Sequence, residues 1–142
     1  MGNIKNVTFG NNVSIVEPTN IYGCKIGNNV KIGPFVEIQR DSEIGDNTII
    51  SSHSFIPSGV KIGNNVFIGH GVMFTNDIFN SDLIENWEIK FTVVGDRVRI
   101  GSNSTILPVN IGNNVIIGAG SVVTKDIPDN VTVYGNPARI KS

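Results

Sequence analysis

From Lys25 to Phe74 the chain reads KIGNNV KIGPFV EIQRDS EIGDNT IISSHS FIPSGV KIGNNV FIGHGV MF, and the second letter of each group decides the fold. Ile26, Ile32, Ile38, Ile44, Ile50, Ile56, Ile62, Ile68 and Phe74 recur every six residues without exception. Four places after each of the first eight stands a small or β-branched residue: Val30, Val36, Ser42, Thr48, Ser54, Val60, Val66 and Val72. A fixed period over such a length is the mark of a solenoid. Six residues are too few for a helix and its turn, but they suit one short strand and a corner. Strand alternation puts Val30 and Ile32 on the same face, so each side of the coil sends one large and one small apolar group inward. Three sides close a triangular coil of about 18 residues, with successive coils roughly 4.8 Å apart. The corners demand backbone shapes that Asn and Gly tolerate. Asn11-Asn12, Asn28-Asn29, Asp46-Asn47, Asn64-Asn65 and Asn113-Asn114 supply them at equivalent places. The pattern predicts an all-β chain, a parallel β-helix of hexapeptide repeats.

The repeat extends in both directions. It starts at Phe9-Gly10-Asn11-Asn12-Val13 and slips by one residue between Ile21 and Ile26. It resumes at Val94, Ile100 and Ile106, slips again, and continues at Ile111, Ile117 and Val123. One interruption, about 76–92, carries Asp77, Asp82, Glu85, Glu88, the sole tryptophan Trp87, and two further aromatics, Phe79 and Phe91. A loop of this length inside a compact domain is usually functional or disordered, and its aromatics favour docking. Residues from about 129 to 142 leave the repeat and are expected to cap the last coil. The expectation is a single domain over 1–142 with one inserted loop and a short C-terminal cap.

Composition narrows the classes. A formal net charge of −1 without a basic run argues against nucleic acid or membrane surface as a partner. No apolar stretch reaches transmembrane length, and no signal peptide opens the chain. Met1-Gly2 lacks the Ser or Thr that a myristoylation start wants, since Asn6 stands there. Cys24 is the sole cysteine, which excludes an internal disulfide and fits a reducing cytoplasm. Its place at the slipped hexad points to a packed thiol rather than a nucleophile.

The aliphatic-Gly-x-x-small-x hexads resemble those of the hexapeptide-repeat acyltransferases. That resemblance implies a left-handed β-helix, against the general right-handed preference of parallel crossovers. Further stretches narrow it: Ser52-His53-Ser54-Phe55-Ile56, Gly69-His70-Gly71-Val72-Met73-Phe74-Thr75-Asn76-Asp77, Gly118-Ala119-Gly120-Ser121-Val122-Val123-Thr124-Lys125 and Gly135-Asn136-Pro137-Ala138-Arg139. Together they are similar to the branch that N-acetylates nucleotide-linked 3-amino sugars, over essentially the whole chain. The resemblance implies acetyl-CoA as donor, a dTDP- or UDP-linked amino sugar as acceptor, and a homotrimer with active sites between subunits. The family's Pro-Arg pair after Asn-Asp and an aromatic is missing here, where Ile78-Phe79-Asn80-Ser81 follows. That leaves the exact sugar open.

Amine acylation needs an unprotonated amine near a thioester carbonyl, a stabilised oxyanion and a route for protons. His53 and His70 are the only histidines, 17 apart, so both should lie at a corner on adjacent coils. Either one positions the amine or thioester, or both are surface histidines; a dedicated base is not required, since water or the leaving sulfur can carry the proton. Asn76 and Asp77 stand where the loop leaves the coil. They either contact the acceptor and orient a histidine or simply form an Asx turn. For the anionic donor, Gly118, Ala119 and Gly120 leave backbone exposed, and Lys125 and Arg139, with Lys141 behind them, are the phosphate partners. By the resemblance, Gly135–Arg139 lies by the CoA tail. No Walker or dinucleotide fingerprint is present.

Two other classes fit the sequence less well. A γ-type carbonic anhydrase binds zinc through three histidines, but this chain has two, and a catalytic zinc wants three protein ligands. No metal is expected. A non-catalytic scaffold has no need for Asn76-Asp77, two corner histidines and a basic C-terminal groove. Within the enzymes, a free sugar or small hydroxyl compound is the competing acceptor. Outward apolar residues such as Phe67 and Met73 are candidates for the trimer contact, which three-fold symmetry of a triangular coil would favour.

Overall fold

A computed structural model describes residues 3–79 and 86–141; Asp82 and Glu85 of the loop fall outside them. Among the described residues twenty-one short strands wind through seven coils and build three parallel sheets. Sheet A stacks β1 (Asn3–Lys5), β4 (Asn20–Tyr22), β7 (Glu37–Ile38), β10 (Phe55–Ile56), β13 (Met73–Phe74), β16 (Thr105–Ile106) and β19 (Val122–Val123). Sheet B runs from β2 (Thr8–Phe9) through β5 (Lys25–Ile26), β8 (Glu43–Ile44), β11 (Val60–Ile62) and β14 (Thr92–Val94) to β17 (Asn110–Ile111). Sheet C holds β3 (Ser14–Ile15), β6 (Lys31–Ile32), β9 (Ile49–Ile50), β12 (Phe67–Ile68), β15 (Arg99–Ile100), β18 (Ile116–Ile117) and β20 (Thr132–Gly135). Register follows the hexads: Ile26 pairs Ile44, Ile32 pairs Ile50 and Ile38 pairs Ile56. Each such pair buries both side chains in one continuous core. A fully buried side chain of this size contributes about 1.5–3 kcal/mol.

The slips and the insertion change coil length without disturbing register. Thr105 pairs Val122 across a coil one residue short, while Phe67 pairs Arg99 across the coil that holds the loop. The repeat persists past 129, because Thr132 and Val133 still lie parallel to Ile116 and Ile117. Only β21 (Ala138–Ile140) reverses, pairing antiparallel with β20 over the open end.

The Asn and Asp pairs form one ladder at the corner between sheets B and C. Asn28, Asp46, Asn64, Asp96, Asn113 and Asp129 each accept, through Oδ1, the backbone N–H of the equivalent residue one coil earlier, at 2.7–2.8 Å. The next place is left-handed throughout: Asn29, Asn47, Asn65, Arg97 and Asn114 all have positive φ. Side chains thereby satisfy corner amides that the sheets cannot.

Coils approach so closely that some places admit no side chain. A Cβ on Gly101 would land on the backbone of Ala119 in the next coil. Gly101→Ala should therefore lower stability by about 1–3 kcal/mol, measured as a drop in thermal midpoint with an unchanged far-ultraviolet spectrum. Cys24 lies in the core, and burial pushes its thiol up to about 11 from 9.0. It should resist maleimide at pH 8 in the folded protein and react once unfolded. Because the folded pKa is raised, its share of stability is intact below pH 9.0 and is lost as pH climbs through about 11.

Candidate functional site

The two histidines do share a corner, the one joining sheet C to sheet A. Its second place is filled, coil by coil, by Glu17, Pro34, Ser52, His70, Ser102 and Ala119. Its third place is filled by Phe35, His53, Gly71, Asn103 and Gly120, all with positive φ. The register is fixed by backbone bonds: the N–H groups of Phe35, His53, Gly71, Asn103 and Gly120 donate to the carbonyls of Pro18, Pro34, Ser52, His70 and Ser102. His53 and His70 are thus neighbours on adjacent coils, one place out of step. Both are exposed.

Their surroundings differ. His70 Nδ1 lies 2.9 Å from Ser52 Oγ, and its own backbone N–H donates to Ser102 Oγ at 3.0 Å. The ring is therefore held through Nδ1 by Ser52, and among the described residues no hydrogen bond engages Nε2. His53 instead stacks on Phe35, with ring centroids 4.8 Å apart and planes 20° apart. Gly71 leaves a notch in the third row between His53 and Asn103, and a Cβ there would crowd Asn103 Oδ1. Gly118, Ala119 and Gly120 occupy the same corner two coils beyond His70. One straight edge thus carries both histidines and the three residues expected to meet the donor.

Asn76 and Asp77 are elsewhere. They lie at the next corner, between sheets A and B, separated from the histidines of the same chain by β13. At strand rise that is roughly 15 Å, so one chain does not bring the four residues together. Asn76 anchors the loop: its Nδ2 donates to Ser58 O at 3.1 Å, and its carbonyl accepts from Lys90 N at 3.0 Å. Asp77 Oδ1 accepts from Phe79 N at 2.8 Å, an Asx turn that leaves Phe79 89% exposed. Lys125 sits at this same corner in the last coil. With Arg139 it lines a cavity of about 490 Å³ between that coil and β21, whose walls include Val123, Ile127, Val133 and Ala138. Among the described residues the one ion pair is Lys90–Glu88, so neither cation there is neutralised by a carboxylate.

Sequence reasoning missed Ser52, Ser102, Asn103 and Phe35. Their signal was available in the corner register, because each stands in the row of His70 or His53 once the loop is set aside. Among the described residues no three His, Cys, Asp or Glu side chains gather as metal ligands, and no helix is long and apolar enough to cross a membrane.

The family model for bacterial transferase hexapeptide repeats matches residues 23–58. The model for the hexapeptide repeat of succinyl-transferase matches residues 43–75 and 92–125, pausing where the loop leaves the coil. The chain belongs to the hexapeptide-repeat family. A point mutant of perosamine N-acetyltransferase from Caulobacter crescentus, solved with CoA and GDP-perosamine, is 26% identical with a TM-score of 0.73, over 96% of this chain and 57% of that one. A hexapeptide-repeat-containing acetyltransferase from Vibrio cholerae is 27% identical with a TM-score of 0.71, over 95% and 72%. The protein of the same name from Vibrio cholerae O1 biovar eltor, complexed with acetyl coenzyme A, is 32% identical with a TM-score of 0.62, over 74% and 61%. The chain spans 57% of the length of the perosamine enzyme.

The anchoring role of Asn76 has a direct test. Asn76→Ala removes one hydrogen bond and should cost about 1 kcal/mol. Asn76→Asp sets a carboxylate against the Ser58 carbonyl and should cost more, the two being ranked by thermal melting.

Proposed function

We propose that the protein is an acetyl-CoA-dependent N-acetyltransferase acting on a nucleotide-linked 3-amino sugar, dTDP- or UDP-bound, that serves as a surface-glycan precursor. The observation that carries this reading is the single corner edge that bears a held His70 and, two coils on, the exposed Ala119–Gly120 turn. Solved relatives with CoA, acetyl coenzyme A and GDP-perosamine support the chemical class. The amine nitrogen attacks the thioester carbonyl, a tetrahedral oxyanion forms, and the C–S bond breaks to release CoA thiolate. In the tautomer whose Nδ1–H donates to Ser52 Oγ, His70 Nε2 carries a lone pair. It receives the proton from the attacking nitrogen and returns it to sulfur. The Gly71 notch, between His53 and Asn103, is the place for the amine. Lys125 and Arg139 hold the donor phosphates.

The division of the candidate residues between two corners favours a homotrimer. His53, His70 and Gly118–Gly120 lie on one corner, while Asn76, Asp77 and Lys125 lie on the next. A three-fold neighbour joins them by setting its loop corner against the histidine corner. The sheet faces beside the histidine corner are suited to contact: Ile49 and Phe67 stack outward on sheet C, with Ile116 beyond Arg99 in the same row, and Phe55 and Met73 stack on sheet A. Sheet B instead presents Lys25, Glu43 and Lys61 in a row, a solvated face.

Thiol release from acetyl-CoA, measured with dTDP- and UDP-linked 3-amino and 4-amino hexoses, tests the reading. Release is expected with a 3-amino sugar. Release only with free sugars or hydroxyl compounds would move the acceptor, and absence of CoA binding would remove the enzyme reading. His70→Asn should lower kcat by about 10²–10⁴-fold. Lys125→Ala and Arg139→Ala should raise the acetyl-CoA KM and leave kcat nearly unchanged.

A further inference from the structure

Phe35 breaks the rule of its row. The third place at this corner has positive φ in five successive coils, from Phe35 to Gly120, and Gly71, Asn103 and Gly120 fill it as that backbone prefers. Phe35 holds it with φ 62° and leaves 56% of its surface exposed. A bulky side chain in the left-handed region is a conformational outlier, and this one gains no core burial in return. Its ring is nevertheless fixed, because one face lies against His53. Beside it opens a cleft of about 220 Å³ lined by Pro18, Thr19, Asn20, Val36 and Glu37. The result is a rigid aromatic face with an amide and a carboxylate along its margin.

We propose that Phe35 is the stacking platform for the heterocyclic base of the nucleotide-linked acceptor, with Asn20 and Glu37 facing the edge of that base. The inference rests on the acceptor reading above and adds the element that binds its nucleotide. Position selects the source of the base. Phe35 lies two coils before His70, about 10 Å along the edge, and Gly118–Gly120 lie two coils after it. Donor and acceptor therefore run in opposite directions from the histidines, and the span to Phe35 is one that a ribose diphosphate bridges. The adenine of CoA, with Lys125 and Arg139 at the far end, is directed away. Stacking suits a base because every nucleobase offers a flat π face, while the polar margin supplies selectivity.

Calorimetric titration of UDP, dTDP, GDP and CoA separately into wild type, Phe35→Tyr and Phe35→Asn tests this. Asn is chosen because Asn103 occupies the same place, so the variant should fold with an unchanged or raised thermal midpoint. At least one nucleoside diphosphate should bind wild type. Phe35→Asn should weaken it about tenfold or more, and Phe35→Tyr should retain it, with CoA affinity unchanged within about twofold in both. Equal nucleotide affinity in wild type and Phe35→Asn would overturn the proposal, as would a Tyr variant as weak as Asn. A loss confined to CoA would reassign the ring to adenine and overturn the acceptor assignment. If CoA binds but no nucleoside diphosphate does, this inference falls while acetyl transfer stands. If neither binds, both fall.

Discussion

Everything in this molecule depends on the parallel hydrogen bonding of each coil to the next. A backbone N–H in one coil donates to a carbonyl in its neighbour, so a residue's place within its hexad becomes a place along a straight vertical row. Inward rows become the isoleucine and valine core. Corner rows become either ladders that satisfy the backbone or edges that display chemistry. The Asn–Asp ladder between sheets B and C is of the first kind, and the histidine edge between sheets C and A is of the second. Sheet geometry alone makes the two corners equivalent; residue choice makes them different.

The histidine edge shows how little such a scaffold needs to build a positioned group. Ser52 and Ser102 are ordinary corner residues one coil to either side of His70, yet together they hold its ring and its backbone. The same closeness that orients His70 forbids a side chain at Gly101 and favours glycine at Gly71. Small residues here are spatial necessities of coil spacing, and a notch between His53 and Asn103 follows from one of them.

Much of this was legible in the sequence. The hexads from Ile26 to Phe74 specify the strands, their register and the inward face, because a period of six with one large and one small apolar place admits few other solutions. The end of the unbroken run at Phe74 and its return at Val94 bracket the loop for the same reason. The shared corner of His53 and His70 followed from a separation close to one coil. The site was less legible. Asn76 is six residues after His70, and six residues is one side of the triangle, so hexad phase sets it at the next corner rather than beside the histidine. Lys125 stands in the same relation to Ala119. Phe35 escaped notice because an aromatic in a polar corner looks like noise until its backbone conformation and its contact with His53 are known. The persistence of the repeat into Thr132–Val133 was hidden by Pro128 and by a shortened coil.

The closed neck of the insertion has a consequence for how this architecture diversifies. Asn76 and Lys90 join across the base of the loop, and Thr92 N–H donates to Gly59 O, so the solenoid resumes as though nothing intervened. The excursion is thus mechanically insulated from the coil that bears it. Lengthening, shortening or exchanging the segment beyond that clasp leaves every vertical row aligned. An evolutionary lineage can then revise what the loop touches while inheriting the edge intact, and recognition and scaffold become separately heritable.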